Sequence, residues 1–266
     1  MERGYGFSLV EIAVVLLIIS VLIAIVAVPL STQMEQRRTE ETQKQLETIK
    51  EAIIGFALAR GRLPCASLQA DKGREVVDEA TGVCGAYSGF LPAATLGISP
   101  IDSDGFAIDA WGLTQNRIRY AVMDITTATG AFTECPATAV AHVLTKRDGI
   151  RGATMNCLAK YSETVTPFRT LLTVCGQTPS AGAPYCASSM LTNAAPFVVI
   201  SLGKNAATGA VGADETYNAG TTGSGRVFVS RTASAAGTPG GEFDDIVTWG
   251  SLNTLFARMV QAGKLP

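Results

Sequence analysis

One run of side chains constrains this chain more than any other. From Ile12 to Val28 the only side chain that is not hydrocarbon is Ser20, and Glu11 stands directly before the run. Counted from Phe7, it reaches the roughly 20 residues that a bilayer-spanning helix needs. Val and Ile dominate it, yet in lipid a backbone has to close its own hydrogen bonds, so helix is expected over strand. A secretory signal peptide is the competing reading. Its apolar core is about 7 to 15 residues long, follows a basic start and ends at a small-residue cleavage site. Here Met1-Glu2-Arg3 is weakly basic, and Ala24-Ile25-Val26-Ala27 makes a poor cleavage site. The expectation is a spanning helix over residues 7–30.

Glu11 is the costly group in that helix, and an intramembrane carboxylate calls for a named partner. No Lys or Arg lies within a turn or two of it. Two readings stay open: Glu11 reaches the headgroups, or it meets a cation on another chain. The hexapeptide Gly6-Phe7-Ser8-Leu9-Val10-Glu11 followed by an apolar run resembles the class III signal of type IV pilins and type II secretion pseudopilins. That resemblance implies a cut by prepilin peptidase between Gly6 and Phe7, N-methylation of Phe7, and an assembly role for Glu11. It implies a structural subunit and no enzyme. Its partners would be the peptidase/N-methyltransferase, other pilin or pseudopilin subunits met through the N-terminal helix, and an inner-membrane assembly platform. It also implies a single-pass protein of the bacterial inner membrane, with its domain in the periplasm, assembled into a pilus or pseudopilus. Pro29 falls one residue later than the helix-bending proline of many members. A helical rise of about 1.5 Å per residue sets Glu11 about 6 Å from the new Phe7 amine. A copy displaced along a filament axis would then bring its own amine beside Glu11.

Beyond the run the chain turns polar. Leu30 to Lys44 holds Glu35, Arg37, Arg38, Glu40 and Glu41, with Glu40 and Lys44 at ion-pair spacing. Apolar residues return at Leu46, Ile49, Ile53, Phe56 and Ala57, one face of a helix. Gly61 and Pro64 signal its end. A coiled-coil anchor is the alternative, but the stripe covers barely two heptads. Strands are expected at Arg117–Val122, Ala139–Thr145, Phe168–Val174, Pro196–Leu202, Arg226–Ser230 and Asp245–Trp249. The Pro196–Leu202 strand is the most apolar and is expected at the centre. The segment from Asp109-Ala110-Trp111-Gly112 to Tyr120 is similar to the one that opens the sheet in many pseudopilins. Ala206–Gly241 reads as surface turns around one short strand, and Leu252–Gly263 as a helix capped by Ser251. The expected fold is α+β: a long N-terminal helix, transmembrane in its first half, packed on a mainly antiparallel sheet, with a short C-terminal helix. The parts are a leader at 1–6, the spanning helix at 7–30, its amphipathic continuation at 31–61 and a periplasmic globular domain at 62–266.

All six cysteines, Cys65, Cys84, Cys135, Cys157, Cys175 and Cys186, follow the apolar run. An even number on one side of it points to disulfides in an oxidising compartment. Sequence neighbours pair as Cys65–Cys84, Cys135–Cys157 and Cys175–Cys186, among about 15 alternatives. A net charge of -2 gives no footprint for nucleic acid. His142 is the single histidine, set in an apolar stretch, and no Gly-x-Ser-x-Gly elbow, phosphate loop or dinucleotide fingerprint accompanies it. Asp102-Ser103-Asp104-Gly105 reads as a turn, since it lacks the distal glutamate of a calcium loop. Asp214, Glu215, Asp244 and Asp245 are weak calcium candidates, because major pseudopilins hold calcium in a late loop. Lys204-Asn205 stands where that family tends to place an acidic residue. The reading from another functional class is a membrane-anchored periplasmic binding or sensor protein with an uncleaved anchor.

Overall fold

The structure is a computed structural model. It describes residues 8–123, 142–152, 172–179, 186, 189–208, 212–220, 226–238 and 240–265, with backbone alone at 24–31 and 208. Helix α1 runs Leu9–Arg60, 52 residues. The Ser8 carbonyl starts it by accepting from the amides of Glu11 and Ile12 at 3.0 and 3.2 Å. Gly61 closes it at φ 69°, its amide donating to the Ala57 carbonyl at 2.8 Å. The chain divides into two compact units, Met1–Glu41 and Thr42–Pro266.

In the first unit the described apolar side chains of α1 are those from Leu9 to Ile23 and Met34, and every one of them is exposed. Among the described residues no helix is long and apolar enough to cross a membrane. That corrects the expected transmembrane first half and the single-pass placement in the inner membrane. The described apolar part contains Glu11, and from Thr32 onward α1 carries Gln33, Glu35, Arg37 and Arg38. The Glu40–Lys44 pair is not formed; an ion pair within α1 joins Glu47 and Lys50 at 2.5 Å.

The second unit holds two sheets rather than the single one expected. Strands β1 (Ser88–Phe90), β2 (Arg119–Val122), β5 (Phe197–Ser201) and β7 (Ile246–Trp249) form an antiparallel sheet in the order β1-β2-β5-β7. Strands β3 (Leu172–Cys175), β4 (Met190–Ala195) and β6 (Val227–Val229) form the other, ordered β4-β3-β6, with β3 and β6 parallel. Short helices α2 (Ala93–Leu96), α3 (Gly149–Gly152) and α4 (Ala213–Asn218) sit between strands, and α5 (Leu252–Gln261) follows β7.

Burial explains the register. All five residues of β5 are buried, as expected for a strand flanked on both edges, with Val199 opposite Tyr120 of β2 and Thr248 of β7. Leu46, Ile49, Ile53, Ile54 and Ala57 of α1 and Leu252, Leu255, Phe256 and Met259 of α5 lie in the same core as the sheet. Two hydrogen bonds fix α1 against the Ile108–Ala110 turn. Gln45 Nε2 donates to the Ile108 carbonyl at 2.8 Å, and the Ala110 amide donates to Thr42 Oγ1 at 3.2 Å. Ser251 lies at the N-cap of α5 without making the side-chain capping bond expected of it. The disulfides Cys65–Cys84 and Cys175–Cys186 are formed. Cys135 and Cys157 lie outside the described residues, as do Gly6 and Phe7.

One strand expectation and one turn expectation need correction. Residues 142–145 form a turn, where His142 takes φ 56° and its Nδ1 meets the Tyr87 hydroxyl at 2.8 Å. That conformation breaks any strand at this point. The Ala206–Gly241 stretch contains helix α4 as well as strand β6. Its Gly and Thr content hid an Ala-Asp-Glu-Thr-Tyr-Asn segment whose two acidic residues fall in the first helical turn, where the helix dipole favours them.

Candidate functional site

Two features carry chemistry. The first lies in the N-terminal unit. Leu9 is 86 % exposed, Leu17 65 % and Ile23 63 %, and Val10, Ile12, Val14, Val15, Leu16, Ile18, Ile19, Val21 and Leu22 are exposed with them. These residues occupy consecutive positions, so they surround the helix rather than forming one stripe. A helix apolar on all sides has to be buried on all sides. Its one charge, Glu11, lies in the first turn. Ser8-Leu9-Val10-Glu11 has the spacing of a helix start, Ser then Glu three residues on. The first-turn position therefore gives Glu11 a local role through the dipole, in addition to any partner it meets outside the chain. Glu11 forms no ion pair among the described residues.

The second feature lies in the globular unit. One carboxylate oxygen each from Glu215 on α4 and from Asp244 and Asp245 before β7 come within 4.8 Å of one another. Glu215 and Asp245 are buried. Gly203 makes the approach possible: at φ 66°, a Cβ there would meet the Asp244 carbonyl oxygen at 2.5 Å. Asparagines hold the carboxylates. Asn205 Nδ2 donates to both Glu215 oxygens at 3.0 and 3.1 Å, and its amide donates to Asp244 at 3.0 Å. Asn218 Nδ2 donates to Asp245 at 2.8 Å. The Asp244 and Gly212 amides donate to Glu215 at 3.1 and 3.3 Å. Burial, with Glu215 and Glu242 near, pushes the Asp244 carboxyl up to about 6, against the pull of the Asn205 and Lys204 amides. Burial, with Glu215 and Asp244 beside it, pushes the Asp245 carboxyl up to about 8, against the Asn218 hydrogen bond.

Asp214, the fourth candidate, is not part of this cluster. It accepts from Arg231 Nε and the Thr178 amide, each at 2.6 Å, and from the Thr178 hydroxyl. Helical geometry separates it from Glu215, since adjacent residues on a helix face different directions. The remaining three are hard oxygen donors of the kind calcium takes. Asp244 Oδ1 is buried and accepts no hydrogen bond, so an oxygen is left over for a cation. The Asn205 position, which departs from the pseudopilin pattern, is the one that supplies donors to Glu215 and Asp244. Sequence reasoning noted Asn205 only as a departure from the family's pattern and missed Asn218, because residues this far apart in sequence show no shared donor role before the chain folds.

The turn expectation for Asp102–Gly105 holds. Asp102 Oδ1 accepts from the amides of Asp104 and Phe106, and Arg117 Nε and Nη2 reach Asp102 and Asp104 at 2.6 and 2.5 Å. An arginine fills the place a cation would take. Asp109 is buried, its carboxylate receiving Ser201 Oγ at 2.6 Å and Asn116 Nδ2 at 3.1 Å. Burial raises its pKa against those hydrogen bonds. It ties the Asp-Ala-Trp-Gly turn to the end of β5.

No protein-family model matches the chain. No curated protein and no solved structure matches it either.

Proposed function

We propose that this chain is a structural subunit, pseudopilin-like or a minor pilin, cut between Gly6 and Phe7 and assembled through the apolar part of α1. The observation that carries the reading is the all-round exposure of Leu9–Ile23 directly after the Gly-Phe-Ser-Leu-Val-Glu hexapeptide. An exposed apolar surface of this extent marks an interaction site. Because it has no polar face, one partner helix cannot cover it, and several copies packed around each helix can. Glu11 is the register element: in a pack of apolar helices it is stable only where a cation meets it, and an unpaired buried charge costs several kcal/mol. The amine exposed at Phe7 of another copy is that cation. Prepilin peptidase/N-methyltransferase and an assembly platform are the further partners. The two disulfides fit a domain delivered to an oxidising compartment. The reading assigns the chain no catalysis.

Electron microscopy and intersubunit cross-linking of fibres made with wild type and Glu11→Ala test it. We expect the variant to assemble poorly or in altered register. Normal fibres with unchanged cross-links would remove Glu11 from the account, and the absence of the chain from any fibre would remove the account itself.

A further inference from the structure

The arginines packed into the globular unit share a pattern that Arg119 alone breaks. Arg62 reaches Glu75 at 2.8 and 2.9 Å and the Leu63 carbonyl at 3.2 Å. Arg117 reaches Asp102, Asp104 and Gln69. Arg151 reaches Asp148 and the carbonyls of Leu58 and Ala59. Arg231 reaches Asp214, Ser234 and the carbonyls of Gly240 and Gly241. Arg119 makes no hydrogen bond and no ion pair among the described residues; its Nε is buried without a partner, as are those of Arg62 and Arg151, but unlike them it has no other nitrogen engaged. Its guanidinium lies 4.6 Å from the centroid of the Phe90 ring. Phe90 is its register partner on β1, at the edge of the sheet. The ring offers only a weak cation–π contact in place of an anion.

We propose that Arg119, backed by Phe90, is the receiving half of an intermolecular ion pair whose carboxylate belongs to a second copy of this chain. The proposal rests on the subunit reading, which brings copies together. Charge complementarity supports the occupant: Glu40 and Glu41 are exposed on α1 and form no ion pair among the described residues. A planar guanidinium matches a carboxylate in bidentate fashion, which a lysine does not. Arginine without its partner is a cost within one copy, and that cost is relieved on association.

The test is sedimentation velocity on the full chain at low and raised salt, with thermal unfolding alongside, for wild type, Arg119→Met, Arg119→Lys and Leu16→Asn. Removing an unpaired charge should leave the Arg119→Met chain unfolding no lower than wild type. Its association should weaken about tenfold or more and lose its salt dependence. Arg119→Met associating like wild type at both salts overturns the proposal. Should the methionine variant fold poorly, Arg119→Lys keeps charge and stem, and unchanged association there overturns it equally. Association that is absent in wild type, or indifferent to Leu16→Asn, overturns the subunit reading instead.

Discussion

Helix α1 contains two solutions to the same problem. Over Leu46–Ala57 apolar residues fall on one stripe, the chain's own sheet buries them, and Glu47, Thr48 and Glu51 stay outside. Over Leu9–Ile23 apolar residues cover every face and stay exposed among the described residues. The difference teaches that hydrophobicity alone does not locate a core. Periodicity does: a stripe asks for one neighbour, whereas a full sleeve asks for several. The first solution contributes to the stability of one molecule, the second to association between molecules.

Substitutions separate the two. Ile53→Ala, in the striped region, should cost about 2 to 5 kcal/mol of unfolding free energy, read by urea denaturation. Leu16→Ala should leave that midpoint unchanged while weakening association; an equal loss of stability would break the distinction. Next in size is the Cys175–Cys186 disulfide, which closes a loop of 11 residues. Its replacement by serines should cost roughly 2 to 4 kcal/mol in the globular unit and nothing in helix association.

A pH-dependent effect comes from the acidic cluster. Asp244 and Asp245 titrate at about 6 and about 8 in the folded chain, above the ordinary carboxylate value near 4 of the unfolded one. The folded chain therefore binds more protons than the unfolded chain between about pH 4 and 8. Stability is highest at the acid end of that window and falls as pH rises through it. Asp245→Asn should flatten the fall, as measured by melting temperature against pH. Calcium should offset it at pH 8 in wild type and less so in the variant; a melting temperature indifferent to calcium would show that the cluster takes no cation. The smallest effect is expected at Arg258→Ala. This removes an exposed 3.5 Å ion pair with Glu51 and should change stability by no more than about 0.5 kcal/mol.

Much of the globular unit was legible because its signals are local. Pro196–Leu202 reads as a central strand from its β-branched run, and β5 occupies the middle of its sheet. Leu252, Leu255, Phe256 and Met259 fix the buried face of α5 by spacing alone. What stayed hidden depends on distant partners. Strand β4 has the composition of a loop and is held by its pairing with β3. His142 sits among apolar residues yet turns the chain, because Tyr87 takes its ring nitrogen. The acidic candidates were half legible. The family resemblance suggested four of them, but only the fold shows that Arg231 takes Asp214 and that asparagines help hold the other three. The spanning helix was read from apolar residue count, and among the described residues no helix is long and apolar enough to cross a membrane.

The central claim is that the N-terminus is an instruction for processing and assembly. Mass spectrometry of the mature chain, made beside a prepilin peptidase, tests it most directly. The account predicts a first residue of N-methyl-Phe7, with residues 1–6 gone. An intact Met1, or a cut elsewhere than after Gly6, would contradict it.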